Sequence, residues 1–254
     1  RDQDHAGPLG EHLNVSLYVN VSGGWKLLNS TDKTGLGTWD DVELTYHDFN
    51  CSDLGSRLFV LNVTDKYGYY NSSNASRTVN KDNVYTYWEY DPDAINRSGL
   101  VTGEFRIRVR DLDNDTYVSS GVNTSFWFSP NGSEIEYDAG YANQTYAGGY
   151  ARYYFDPTCS YRAGQQFWKA GVRDDQCYYN ENFTSPSYYS FEVTGQLRNW
   201  IITPNWTGGQ PSFNVTDQIP VRFNVTSECS NQASENPVGG VTRSLELQAP
   251  NATW

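Results

Sequence analysis

The sequence predicts an all-β protein built from consecutive sandwich modules. Three observations lead there. Apolar residues alternate with polar ones along most of the chain. Turn residues interrupt the alternation every ~8–12 positions, the spacing of sandwich strands. No stretch sustains the 3.6-residue period of an amphipathic helix. Expected strands cover residues 15–21, 25–28, 42–46, 58–63, 105–109, 122–128, 150–155, 167–172, 188–193, 219–225 and 243–247. Gly23-Gly24, Asp32-Lys33, Ser129-Pro130-Asn131-Gly132 and Gly148-Gly149 supply turns between them. In the fifth strand Phe105, Ile107 and Val109 alternate with Arg106, Arg108 and Arg110, so one face is buried and the other solvated.

Composition narrows the function. The 254 residues hold 30 Asp and Glu against 18 Lys and Arg, a net charge of -12. That balance argues against nucleic acid or anionic lipid as the main partner. Charged residues are only 19% of the chain and aromatics 15%, which describes a folded protein rather than an acidic tail. There is no Met, as expected of a processed product or an excised segment. No apolar run approaches the ~18 residues a membrane helix needs, and the opening RDQDHAGPLG does not read as a signal peptide.

The most informative motif is N-x-S/T. It occurs at Asn14, Asn20, Asn29, Asn50, Asn62, Asn71, Asn74, Asn96, Asn114, Asn123, Asn131, Asn143, Asn182, Asn205, Asn214, Asn224 and Asn251, which is 17 of the 23 Asn. Ser and Thr form about a sixth of the chain, so chance would place about four. Such an excess predicts dense N-glycosylation, and hence export. Five of these motifs read Asn-Val-Ser/Thr and fit strands. In HLNVSLYVNVS, Val15, Leu17, Val19 and Val21 share one face while Asn14, Ser16, Asn20 and Ser22 share the other. In VRFNVTSE, Val221, Phe223 and Val225 oppose Arg222, Asn224 and Thr226. Positions 1 and 3 of the motif match the two-residue period of a strand, so the central Val is buried and the Asn faces water.

Composition shifts place a first module at 1–84, a second at 85–195 and a third at 196–254. YTYWEYDPDAINRSG reads as an aromatic linker around Asp91-Pro92. The second module, with EFRIRVRDLDNDTYVSSGVNTSFWF followed by GGYARYYFDPTCSYRAGQQFWKAGV, resembles an immunoglobulin-like repeat of large prokaryotic, especially archaeal, surface proteins. The first module is similar in GTWDDVELTYHDFNCSDLG and RLFVLNVTDKYGYYNSS, and NVTDQIPVRFNVTSEC with VTRSLELQAPN resembles the opening strands of a further copy. The resemblance implies tandem immunoglobulin-like β-sandwich domains in a cell-surface or fibre glycoprotein. A sandwich of that type takes about 100 residues, so the last one is incomplete within this chain and needs a following copy or chain.

Four Cys are present and no C-x-x-C, which excludes zinc ribbons and thioredoxin motifs. Cys159 and Cys177 flank two expected strands and are expected to pair, closing a loop worth about 3 kcal/mol in the chain-entropy model. Partners for Cys51 and Cys229 stay open: each other, a neighbouring copy, or residues beyond this segment. His5, His12 and His47 form no Ser-His-Asp or Cys-His pattern. Nothing singles out Asp40-Asp41, Asp174-Asp175 or Glu134 with Glu136 as a glycosidase pair, so no catalytic residue and no enzymatic activity are expected. Asp111, Asp113 and Asp115 form D-x-D-x-D, a weak candidate calcium clip; Thr116 and Val122 stand where an EF-hand loop needs Gly and Glu. Asp91 and Asp93 are a weaker candidate. No other cofactor is expected beside covalent N-glycans. The expected role is a structural subunit of a glycosylated extracellular filament, stalk or surface coat, with copies of itself end to end as partners. The alternative is an adhesin, receptor-like or carbohydrate-binding module whose partners are cell-surface glycans.

Overall fold

The computed structural model describes residues 12–21, 24–34, 41–47, 49–98, 102–183, 186–203, 212–214, 218 and 221–229. Among these the chain is all-β, with sixteen strands and one short 3-10 turn. It divides into two compact units. The first comprises 1–84 with 111–116 and 172–181; the second comprises 85–110, 117–171 and 182–254. The segment expected to open a third module is thus grouped with the second unit.

The first unit is built on one antiparallel sheet in the order β2-β1-β3-β4. Its strands are β1 (His12–Val21), β2 (Gly24–Thr34), β3 (Gly55–Asp65) and β4 (Tyr70–Val79). The alternation read in β1 is realised in part: Val15 and Val19 are buried while Asn14 and Asn20 are exposed, but Ser16, expected on the water face, is buried and Leu17 is half-buried. Across the ladder Val15 opposes Val63, Leu17 opposes Leu61 and Val19 opposes Phe59, so one face is apolar. Phe49 covers that face, its ring edge-on to Phe59 at 6.2 Å and to Tyr46 at 5.0 Å. Residues 42–46, expected as a strand, are not one. Their backbone joins no ladder, and the Thr45 carbonyl instead accepts from Asn29 Nδ2 at 2.9 Å. β4 (YNSSNASRTV) has no apolar alternation and is exposed along nearly its whole length. It forms because β3 offers ten consecutive partners, Gly55 to Thr64. The β3–β4 turn is set by Asp65, whose Oδ1 accepts from the backbone N–H of Tyr67 and Tyr69, both at 2.8 Å.

The second unit is a two-sheet sandwich. One sheet runs β10-β9-β12-β14-β6 with β13 beside β12; the other runs β11-β7-β5 with β8 beside β7. The principal strands are β5 (Val84–Tyr90), β6 (Ala94–Asn96), β7 (Gly103–Asp111), β9 (Asn123–Phe128), β10 (Tyr141–Gln144), β11 (Tyr150–Phe155), β12 (Gly164–Val172) and β14 (Tyr189–Thr194). β8 (Thr116–Tyr117) and β13 (Glu181–Asn182) are two-residue strands. The segment expected to be a linker is therefore two strands, β5 and β6, with Thr86 and Ile95 buried. Aromatic richness there reflects a sandwich edge rather than a connection.

Both inner faces are aromatic. Phe105, Phe126, Phe128 and Trp168 are wholly buried. The Phe105 ring lies 4.8 Å from Phe128, 4.9 Å from Trp168 and 5.1 Å from Phe191, each edge-to-face. Phe128 stacks on Phe155 at 3.9 Å. Such pairs add about 0.5–1.5 kcal/mol each beyond their burial. The Gly148-Gly149 turn needs glycine: Gly149 has φ 75°, and a Cβ there would sit 2.5 Å from the Val109 carbonyl oxygen.

An antiparallel pair, β15 (Leu197–Thr203) and β16 (Arg222–Ser227), completes the described second unit. Two strands alone are marginal in water. This pair is tied in by a disulfide and an ion pair. Cys229 bonds Cys159 with Cα atoms 5.5 Å apart. Arg97 Nε meets Glu228 Oε1 at 3.2 Å, with side chains 2% and 8% exposed, and a second Arg97 nitrogen donates to the Tyr161 carbonyl at 2.7 Å. The other disulfide joins Cys51 to Cys177 within the first unit, Cα atoms 5.0 Å apart. The expected Cys159–Cys177 pair is thus corrected. Strand β12 lies between those two residues, and its nine residues carry the chain some 30 Å, too far for one bridge.

Candidate functional site

The sequons define the surface of interest. Side-chain exposure is described for fourteen of their asparagines. Eleven are exposed; Asn29, Asn62 and Asn123 are half-buried; none is buried. Asn205 and Asn251 lie outside the described residues, and Asn224 is described in backbone only, on β16.

Strand register sorts them. In the first unit Asn14, Asn20, Asn62 and Asn74 share the face opposite the Phe49-covered one, because Ser16 opposes Asn62 and Val60 opposes Asn74. Asn29 and Asn71 lie on the other side, opposite Leu17 and Val63. A bulge in β2, at the step between Leu17 and Tyr18 of its partner, reverses the alternation and places Asn29 there. Sequons also mark sheet edges. Asn29 is on β2, Asn71 and Asn74 on β4, Asn143 on β10 and Asn96 on β6, the outer strands of the β2-β1-β3-β4 and β10-β9-β12-β14-β6 sheets.

Local hydrogen bonds orient several of these side chains. Oδ1 of Asn14, Asn50 and Asn96 accepts from the hydroxyl two residues on, Ser16, Ser52 and Ser98, at 2.8, 2.6 and 2.8 Å. Oδ1 of Asn131 accepts from the Ser133 backbone N–H at 3.0 Å. These bonds use the oxygen and fix the amide plane; at Asn14 and Asn131 the Nδ2 also donates, to Asp32 Oδ1 at 3.0 Å and to Glu136 Oε2. Asn50 also caps the 3-10 turn Cys51–Asp53 in a capping box with Asp53. Arg57 then donates to the carbonyls of Ser52, Asp53 and Leu54, which seats Cys51 for its disulfide. Asp175 Oδ1 accepts from the N–H of Cys177 at 2.8 Å and of Tyr178 at 3.1 Å, fixing the other half.

The D-x-D-x-D segment does not assemble as a cation clip. Asp111 is buried, and its Oδ1 accepts from the backbone N–H of Asp113 and Asn114, both at 3.0 Å, while its Oδ2 accepts from Asn114 Nδ2 at 3.2 Å. Its oxygens therefore close the turn. Among the described residues no three His, Cys, Asp or Glu side chains are placed to hold a metal ion. Asp111 and Asp113 do line a cavity of about 650 Å³ in the first unit, with Phe49, Lys81, Asp82 and Tyr178. Burial, and then the neighbouring carboxylates, push the Asp82 carboxyl above its ordinary value, against a backbone bond from Asn83. The weaker candidate Asp91 serves two indoles instead: Trp168 Nε1 donates to its Oδ2 at 2.7 Å and Trp88 Nε1 to its Oδ1 at 3.0 Å. Burial raises its pKa, and the indole bonds lower it in part.

Sequence reasoning marked the solvated Arg side of β7 but did not join it to the Tyr-rich β11, with which it forms one face of the second unit. On the outer side of β11 and β7, Arg108 sits over the Tyr117 ring at 3.2 Å and the Tyr150 ring at 4.4 Å. Arg152 sits over Tyr146 and Tyr154 at 5.5 and 5.4 Å. No sequon falls on β5, β7 or β11. The signal was present in the Arg alternation of β7 and the Tyr-rich β11; only the Tyr150–Arg108 register brings them together.

No family model matches the sequence, and no curated protein matches it. Similar solved structures include a tetra-tandem repeat in the extending region of a large adhesion protein, with TM-score 0.41 and 16% identity over 78% of this chain and 46% of that one. A structure described for host cell surface retention of a 1.5-MDa bacterial ice-binding adhesin gives 0.27 and 13% over 78% and 60%. Fibronectin(III)-like modules of Clostridium thermocellum CbhA give 0.25 and 12% over 76% and 90%. The chain spans about half the length of the first two. Among the described residues no helix is long and apolar enough to cross a membrane.

Proposed function

We propose that this chain is a structural, non-catalytic segment of a heavily N-glycosylated extracellular filament, stalk or surface coat, with copies arranged end to end. The observation that carries this reading is the outward placement of the sequons: none of the fourteen described asparagines is buried. Edge strands present unpaired N–H and C=O groups that recruit other sheets. Glycans on Asn29, Asn71, Asn74, Asn96 and Asn143 would stand on four such strands and block lateral pairing, leaving module ends for assembly. Two disulfides in a chain of this size fit an oxidising, extracellular setting.

A second reading, a surface module that binds anionic saccharides, draws on the sequon-free Arg and Tyr face of β7 and β11. Glycopeptide mapping of native material, with electron microscopy of the same preparation, separates the two. The filament reading expects occupied sequons on both units and elongated assemblies. Asparagines bare throughout, in dispersed particles that are retained on an acidic-glycan column, would replace it with the second.

A further inference from the structure

The sequon-rich face of the first unit is not purely polar. Trp25, Leu27 and Leu58 are 52%, 49% and 36% exposed, and Tyr70 is 63% exposed. Register puts these side chains among the asparagines. Asn20 directly opposes Trp25 across β1 and β2, and Tyr18 opposes Leu27. Tyr70 opposes Thr64, one step diagonal from Asn62, and its hydroxyl donates to Asn62 Oδ1 at 3.3 Å. Directly opposed residues have Cβ atoms about 4.5–5.5 Å apart, and diagonal ones remain in reach of an aromatic side chain. Trp25 and Leu27 are each left about half in water, so this apolar strip on a sheet face calls for something to cover it.

We propose that Trp25 and Tyr70 are platforms for the chain's own glycans, with the sugar attached at Asn20 lying on the Trp25 indole and the sugar at Asn62 lying against Tyr70. The inference rests on the glycosylated reading above. The chemistry is specific. A sugar joined to Nδ2 begins three bonds from the Asn Cβ, so its ring falls over the cross-strand neighbour. One face of a pyranose is lined with C–H groups, whose partial positive charge suits the negative face of an aromatic ring. Both partners are preorganised on a ladder, so little freedom is lost on contact. The glycans would then serve as the missing cover of a one-sheet unit, turning a modification into packing.

The test is a double-mutant cycle on the full glycosylated chain: wild type, N20Q, W25A and N20Q/W25A, with W25F to preserve a ring. Glycopeptide mass spectrometry reads occupancy at Asn20, and denaturant unfolding reads stability. The expected result is that W25A raises the unfolding equilibrium constant of the Asn20-glycosylated protein about 3- to 10-fold more than it does in the N20Q background, the range for a stacked pair, and that W25F recovers most of it. Equal effects of W25A in both backgrounds, with Asn20 shown to be occupied, would overturn the platform while leaving glycosylation standing. An unoccupied Asn20 and Asn62 in native material would overturn the platform alone, and asparagines bare throughout would overturn the reading beneath it as well.

Discussion

Among the described residues the two units bury very different apolar side chains. In the second, two sheets face each other and hide Phe105, Phe126, Phe128, Phe155 and Trp168 at no more than 1% exposure. In the first, a single sheet shelters Val15 and Val19, and a non-strand segment led by Phe49 does the covering. Both fold from the same alternating pattern. A period of two assigns faces, but it does not say how much lies against them. The aromatic unit has a two-sheet core and uses its disulfide to tie in the β15–β16 pair, whereas in the aliphatic one a disulfide, side-chain caps and, on the proposal above, sugars support a single sheet.

The largest expected difference comes from the disulfides. In the chain-entropy model, sequence separations of 126 and 70 give contributions of about 4–5 kcal/mol each. For the thin first unit that approaches a typical total stability. Replacing Cys51 and Cys177 with Ala is expected to remove hydrogen-exchange protection across β1 and β3. Replacing Cys159 and Cys229 is expected to spare protection in β7, β9 and β12. Equal loss in both units would end the contrast.

Core truncation should show the same asymmetry on a smaller scale. Trp168→Ala is expected to cost about 3–5 kcal/mol, because it empties the centre of an aromatic cluster and orphans one Asp91 oxygen. Val19→Ala is expected to cost about 2 kcal/mol, from fewer methyl groups and one covered face. Denaturant midpoints of the two variants compare them directly.

The smallest effect is the pH dependence that Asp91 contributes in the second unit. The folded-state pKa of Asp91 is raised, so the folded protein holds that proton more tightly than the unfolded chain does. Its contribution is therefore full below the ordinary carboxylate pKa of about 3.9 and is lost as pH rises through the raised folded value. Asp91→Asn should flatten the stability profile over that acidic window, as read by urea unfolding at successive pH values. A variant whose profile keeps the wild-type slope would assign the dependence to another carboxyl.

Legibility in the sequence followed burial. Phe105, Ile107 and Val109 were readable as one buried face because each alternate position is apolar. β4 was not, since YNSSNASRTV has almost nothing to bury and forms only because β3 supplies partners. β5 was mistaken for linker because aromatics serve equally at a sandwich edge and in a connection. The sequon asparagines were legible as outward-facing from the two-residue period, but Asn29 fell on the other side through a bulge that no local pattern announces. The Arg and Tyr face needed the pairing of β7 with β11, over forty residues apart along the chain.

The sequence by itself determined that the chain is all-β, that strands such as β1 and β7 have one wet side, and that Asn14 and Asn20 belong on it. Those are properties of a residue and its neighbours two positions away, where side-chain direction alternates by covalent geometry. Only the tertiary structure decided which cysteines pair, which strands neighbour each other, and that Trp25 stands beside Asn20. Such contacts join distant positions, and they are fixed by ladder register and by what packs against each face, neither of which local alternation contains.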